Sequence, residues 1–166
     1  MTELTRSLHS TLGFCRTSMS MNEHTKTCQE FVKHYLGRAW SDNDGLAEKD
    51  VKKAESRLGT TLPSALRSFY LTIGAVPDLC SVHNTIFHPK DLTFEDGYLM
   101  FMDENQSVVS WGIKKKDLTK GDPETWQRNN SSEDWYSEEK SFLELLASMF
   151  DWYKELGVWK RGDRKG

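Results

Sequence analysis

The chain has 166 residues, 37% of them apolar and 28% charged, with a formal net charge of −3. That length suits one domain with its own core and is short for two of ordinary size, and the composition excludes the low-hydrophobicity, high-charge class that stays unfolded. No lysine and arginine block tracks a phosphate backbone and no apolar run is long enough to span a bilayer, so neither nucleic acid nor a membrane is the expected partner.

Residues 1–21 show no sustained periodicity and no continuous apolar core of a secretory signal; they are expected to be a disordered leader ahead of a domain at 22–157. The cysteines Cys15, Cys28 and Cys80 are odd in number and not closely paired. This argues against a disulfide framework and for a reducing, cytoplasmic setting. In TKTCQEFVKHYLGRAW, Cys28, Phe31, Val32, Tyr35 and Leu36 recur at helical spacing up to Gly37, and SDNDG at 41–45 reads as a turn.

The next twenty-odd residues read as two short helices. Ala47, Val51, Ala54 and Leu58 line one face, and Gly59 supplies a left-handed stop. Pro63, whose φ is fixed near the helical value, suits the first turn of a second helix with the stripe Leu62, Leu66, Phe69, Tyr70 and Ile73, ended by Gly74. The two stripes must share one core.

After Pro77 the pattern turns to β. NTIFHP, YLMFMD and SVVSWGI are short strand-like runs, the last two forming a hairpin over 98–113, and the wholly apolar YLMFM predicts a strand covered on both faces. Residues 114–136 are polar and turn-rich, with room for one further short strand. SFLELLASMFDWYKELG then carries Phe142, Leu145, Leu146, Met149, Phe150 and Tyr153 at helical spacing, with Ser141 and Glu144 as a capping box and Gly157 as the stop. A basic tail, 158–166, follows. Helices, then a mostly antiparallel sheet, then a closing helix define an α+β domain.

Chemistry finds little support. Cys80, His83 and His88 lie close together, but a zinc site needs a fourth ligand and a nucleophile needs an orienting third group. The adjacent carboxylates Asp103 and Glu104, and Glu133 and Asp134, sit in turn-like segments without a hydrolase motif, and there is no phosphate-binding glycine loop. No enzyme, cofactor or metal is therefore expected. Among the six tryptophans, Trp111 and Trp152 fall on periodic elements where a core role is natural. Trp126 and Trp135 instead fall among the acids Asp122, Glu124, Glu133, Asp134, Glu138 and Glu139. An acidic stripe is ordinarily a solvated face, but aromatic anchors set among charges are also what a protein-binding patch contains.

The order of these signals resembles the SUKH superfamily. Leu58, Gly59, Leu62, Pro63, Leu66, Phe69, Tyr70 and Gly74 stand where that family has its leucine–glycine, leucine–proline, aromatic helix and terminal glycine; YLMFMDENQSVVSWGI is similar to its central hairpin, GDPETW to its aspartate–proline segment and SFLELLASMF to its closing helix. The resemblance spans roughly 47–153 and implies a domain without catalytic activity. Many bacterial members are immunity proteins that neutralise polymorphic toxins, often nucleases, and fungal relatives are regulatory interaction proteins. Glu124 stands where the family often has a second proline, adding an acid to this region. The resemblance thus implies a protein partner, either a toxin domain or a regulatory target, and the acids and aromatics place the expected contact at Asp122, Glu124, Trp126, Glu133, Asp134 and Trp135.

Overall fold

The computed structural model describes residues 20–160. Helix α1 (Met21–Phe31) opens with a capping box, in which the Ser20 hydroxyl accepts from the Glu23 N–H while Glu23 returns a bond to the Ser20 N–H. It runs on into a widened π turn, Val32–Leu36, and closes at Gly37, whose φ of +65° is left-handed. Most of the expected leader lies outside the described residues.

Helix α2 (Glu48–Leu58) ends at Gly59, with φ +67°, and α3 (Ser64–Ile73) begins after Pro63. Pro63 is itself the cap, with ψ 141°, so the helix starts one residue later than the proline's φ alone suggests. The tight hinge is held by polar bonds as well as by its stripes. The Leu62 N–H donates to Glu55 at 3.0 Å, and Arg67 bridges from α3 back to Glu55 at 2.9 Å and to Glu48 at 2.8 Å. Val51, Ala54, Leu62, Leu66, Phe69, Tyr70 and Ile73 are all buried, as the periodicity predicts, while Ala47 caps α2 and is exposed. A single turn, α4 (Pro77–Cys80), leads into the sheet.

The sheet has six antiparallel strands: β1 (Asn84–Ile86), β2 (Thr93–Glu95), β3 (Tyr98–Glu104), β4 (Val109–Lys114), β5 (Glu124–Asn129) and β6 (Trp135–Ser141). Their order is β1-β3-β4-β5-β6, with β2 pairing β3 on the same side as β1. The expected hairpin over 98–113 is β3–β4, and Leu99, Met100, Phe101 and Met102 are all covered. The polar stretch 114–136 departs from expectation. It supplies β5 and the start of β6, so the segment read as a connection is largely a second hairpin.

Helix α5 (Phe142–Glu155) closes the chain with the predicted Ser141–Glu144 capping box. It lies between α1 and the sheet. Phe31 meets Phe150 edge to face at 5.5 Å, Tyr35 meets Phe150 at 5.4 Å, and Phe142 meets both Phe69 of α3, at 5.7 Å, and Phe101 of β3, at 5.3 Å. These aromatic pairs favour edge-on geometry and bind three helices and the sheet into one core. The packed chain continues past Gly157, because Trp159 lies against Tyr35, Phe150 and Tyr153 and donates to the Asp78 carbonyl at 3.0 Å. Trp152, expected in the core, is 43% exposed and stands edge-on to His83. Among the described residues no helix is long and apolar enough to cross a membrane.

Candidate protein-binding face

Strand alternation decides which side chains can cooperate. On β5, Thr125 points to the helices and is buried, so Glu124, Trp126 and Arg128 share the opposite face. Cross-strand pairing adds Gly112 beside Trp126, Tyr98 beside Lys114, and Trp135 beside Arg128. This outer face carries an aromatic cluster. Tyr98 stacks flat on Trp135 with centroids 3.6 Å apart, and Trp126 lies 6.2 Å from Tyr98. Two cations cover the indoles: the Lys114 ammonium sits 3.5 Å from the Trp126 centroid and the Arg128 guanidinium 5.5 Å from that of Trp135. Arg128 is in turn paired with Glu95 at 2.7 Å. Trp126 and Trp135 are half-buried, and their indole N–H groups are enclosed without an acceptor among the described residues.

The six expected contact residues therefore divide. Trp126 and Trp135 come together on the outer face. Glu124 is exposed at one end of the β5–β6 hairpin, where its carboxylate accepts from the Ser137 hydroxyl. Glu133 and Asp134 are exposed at the opposite end, in the turn, which Glu133 enters with φ +60°. At about 3.3 Å per residue, the length of β5 separates the two acidic ends by roughly 17 Å. Asp122 belongs elsewhere. Its carboxylate accepts from the Ser141 hydroxyl at 2.7 Å and from the Leu143 N–H at 3.2 Å, at the start of α5, so it satisfies helix donors. Burial pushes this carboxyl up to about 6, against the opposing pull of those two hydrogen bonds.

Sequence reasoning passed over Tyr98, Lys114, Arg128 and Tyr136. The alternation Glu124–Trp126–Arg128 was a usable signal for the first indole and its cationic neighbour. Tyr136 points away from the indoles and is 57% exposed on the edge strand β6. That edge is itself irregular: Trp126 pairs Ser137 while Glu124 pairs Ser141, and the extra residues of β6 bulge around Glu139 at φ +53°. A bulge of this kind interrupts the row of backbone groups that would invite another strand.

The cysteine and histidines near β1 do not form a reactive set. Cys80 donates to the Ile73 and Gly74 carbonyls at 3.6 Å, and burial pushes its thiol up to about 12, which disfavours the thiolate. His83 faces Glu104 at 3.8 Å, and His88 accepts from the Lys90 N–H at 3.2 Å. Among the described residues no group of three histidine, cysteine or carboxylate side chains is placed to hold a metal ion.

No curated protein and no solved structure matches the chain. A family model does: that of the SMI1 / KNR4 family (SUKH-1) matches residues 45–152, from the turn before α2 through most of α5, and the chain belongs to that family.

Proposed function

We propose that the chain is a non-catalytic protein-binding domain, an immunity protein that acts in the cytoplasm by binding and neutralising the toxin domain of a polymorphic toxin system. The observation that carries this reading is the β5–β6 hairpin at the sheet edge. Its outer face offers the half-buried Trp126 and Trp135 beneath Lys114 and Arg128, its other face exposed Tyr136, and its two ends the carboxylates of Glu124 and of Glu133 and Asp134. An apolar centre with a charged rim is the anatomy of a protein interface. A rim of carboxylates suits a basic partner, and toxins that cut nucleic acid are basic because they hold a polyanion.

SUKH-1 membership supports a SUKH-type domain, and many bacterial members of the superfamily that the sequence resembles are immunity proteins. The test is co-expression with the C-terminal domain of a polymorphic toxin sought in the genes next to the one that encodes this chain. A stable complex and restored growth are the expected result. Failure of both would turn the reading towards the alternative, a regulatory module of the same fold acting on a partner that is not a toxin.

A further inference from the structure

We propose that the cleft between the β2–β3 turn and the end of β4 docks an acidic segment of a protein partner. This goes beyond the hairpin reading and does not depend on the partner being a toxin. The cleft has a volume of ≈ 570 Å³ and is lined by Asp96, Gly97, Tyr98, Lys114, Lys115 and Lys116. That is room for a few side chains, within the range of pockets that hold ligands.

Its walls are fixed. Asp96 and Gly97 have φ of +51° and +81°, the left-handed pair of a two-residue hairpin turn, between the paired residues Glu95 and Tyr98. The Lys115 N–H donates to the Gly97 carbonyl at 2.9 Å, tying the lysine segment to that turn. Tyr98 is held from behind by its stack on Trp135, and its hydroxyl has no hydrogen-bond partner among the described residues.

Lysine dominates the charge of the cleft, with three ammonium groups to one carboxylate in its lining. Lys114 faces the Trp126 ring and Lys115 the Phe94 ring, at 4.9 Å, and none of the three lysines is in an ion pair among the described residues. Asp96 is the carboxylate in the lining, and it lies 3.6 Å from Arg128. On a chain of net charge −3, three lysines that form no ion pair among the described residues, beside the Tyr98 phenol, are complementary to carboxylates. Carboxylates in a short peptide fit better than a nucleic-acid strand. A strand needs a continuing basic track, whereas Asp96 in the lining and Glu95 beside it, 61% and 46% exposed, confine the positive surface to the three lysines, enough for the one or two carboxylates of a short segment.

The experiment uses the full chain and three fluorescent probes: an extended peptide alternating glutamate and tyrosine, its glutamine counterpart, and a short oligothymidylate. The acidic peptide is expected to bind, to weaken as salt rises, and to lose roughly tenfold or more in affinity to the double variant Lys115→Glu, Lys116→Glu. Lys114 is spared because it packs on Trp126. Tyr98→Phe keeps the stacked ring and should weaken the peptide several-fold by removing the phenol alone. Equal binding of the acidic and glutamine peptides, no binding of either, or indifference to the lysine reversal in a variant of unchanged melting temperature would overturn the proposal. Tighter binding of the oligothymidylate through the same lysines would overturn it in favour of nucleic acid.

Discussion

Tyr98 and Trp135 lie ring on ring, their planes 7° from parallel, although Tyr98 is on β3, Trp135 is on β6, and both β4 and β5 stand between them. Strands three places apart in a flat sheet are about 14 Å from one another. Contact across that gap requires the sheet to coil so that its outer face is concave. Gly112 on β4 makes the closure sterically possible: a Cβ there would lie 3.0 Å from the Tyr98 Cβ, 3.2 Å from the Leu99 carbonyl oxygen and 3.2 Å from the Met100 sulfur.

Gly112→Val is therefore expected to push Tyr98 off Trp135 and to cost about 1–3 kcal/mol, as overpacking does. Thermal unfolding reads the cost, and near-ultraviolet circular dichroism reads the stacked rings. A variant with wild-type melting and an unchanged aromatic spectrum would show that the coil does not depend on this glycine.

At the α2–α3 hinge, two substitutions should fail for different reasons. No atom lies within 4 Å of a Cβ built on Gly59, so its φ of +67° is the whole constraint. Gly59→Val should cost a few kcal/mol, whereas Gly59→Asn, which tolerates the left-handed region, should cost clearly less. Phe69→Ala removes a fully buried ring packed on Phe142 and should cost about 3–5 kcal/mol. Chemical denaturation of the three variants gives the ranking; equal losses for valine and asparagine at position 59 would point to crowding instead of backbone strain.

The four longer helices were legible in the sequence because each carries a one-sided stripe and a stop, as in Leu66, Phe69, Tyr70 and Ile73 ahead of Gly74, whereas the single turn α4 is too short to show a period. The β3–β4 hairpin was legible from its apolar run. The β5–β6 hairpin was not, since both its faces are partly covered and the alternation Glu124–Trp126–Arg128 is mostly polar: Thr125 is buried, while Gln127 and Arg128, on opposite faces, are both half-buried. The contact residues suffered from the same blindness. Acids close in sequence were read as one stripe, but a hairpin sends Glu124 and Glu133 to opposite ends and turns Asp122 inward to α5. Nothing local in the sequence announces that Tyr98 will meet Trp135, because that contact exists only once the sheet coils.

Stability should carry a pH signature of Asp122. Its folded value, about 6, lies above the unfolded aspartate value of about 3.9. The folded state thus holds the proton more tightly, and the stabilisation is complete below about 4 and lost as pH rises through about 6. His24 and His34 are pulled below the ordinary histidine value, chiefly by burial, and act in the opposite sense: they stabilise above about 6.5 and lose that contribution as pH falls. Asp122→Asn should remove the component that falls between pH 4 and 6 and leave the histidine component. Denaturant midpoints across that range check it, and an identical pH profile in the variant would mean that Asp122 titrates at its ordinary value.

Binding to the proposed toxin partner should separate two kinds of contact. Glu124, Glu133 and Asp134 are exposed and spread along the hairpin, so their charges act mainly on the encounter. Replacing the three with amides should slow association at low salt and change little once the screening length falls to a few ångströms. Tyr136 is the exposed ring of the hairpin, and Tyr136→Ala should speed dissociation, by about thirtyfold if it costs the roughly 2 kcal/mol of a central anchor. Trp135→Ala is a different case, because it removes the partner of Tyr98 and should lower the melting temperature together with affinity. Association and dissociation rates at two salt concentrations, alongside melting of each free variant, resolve all three. Amide variants with unchanged association at low salt, together with an unchanged dissociation rate for Tyr136→Ala, would move the interface off the β5–β6 hairpin.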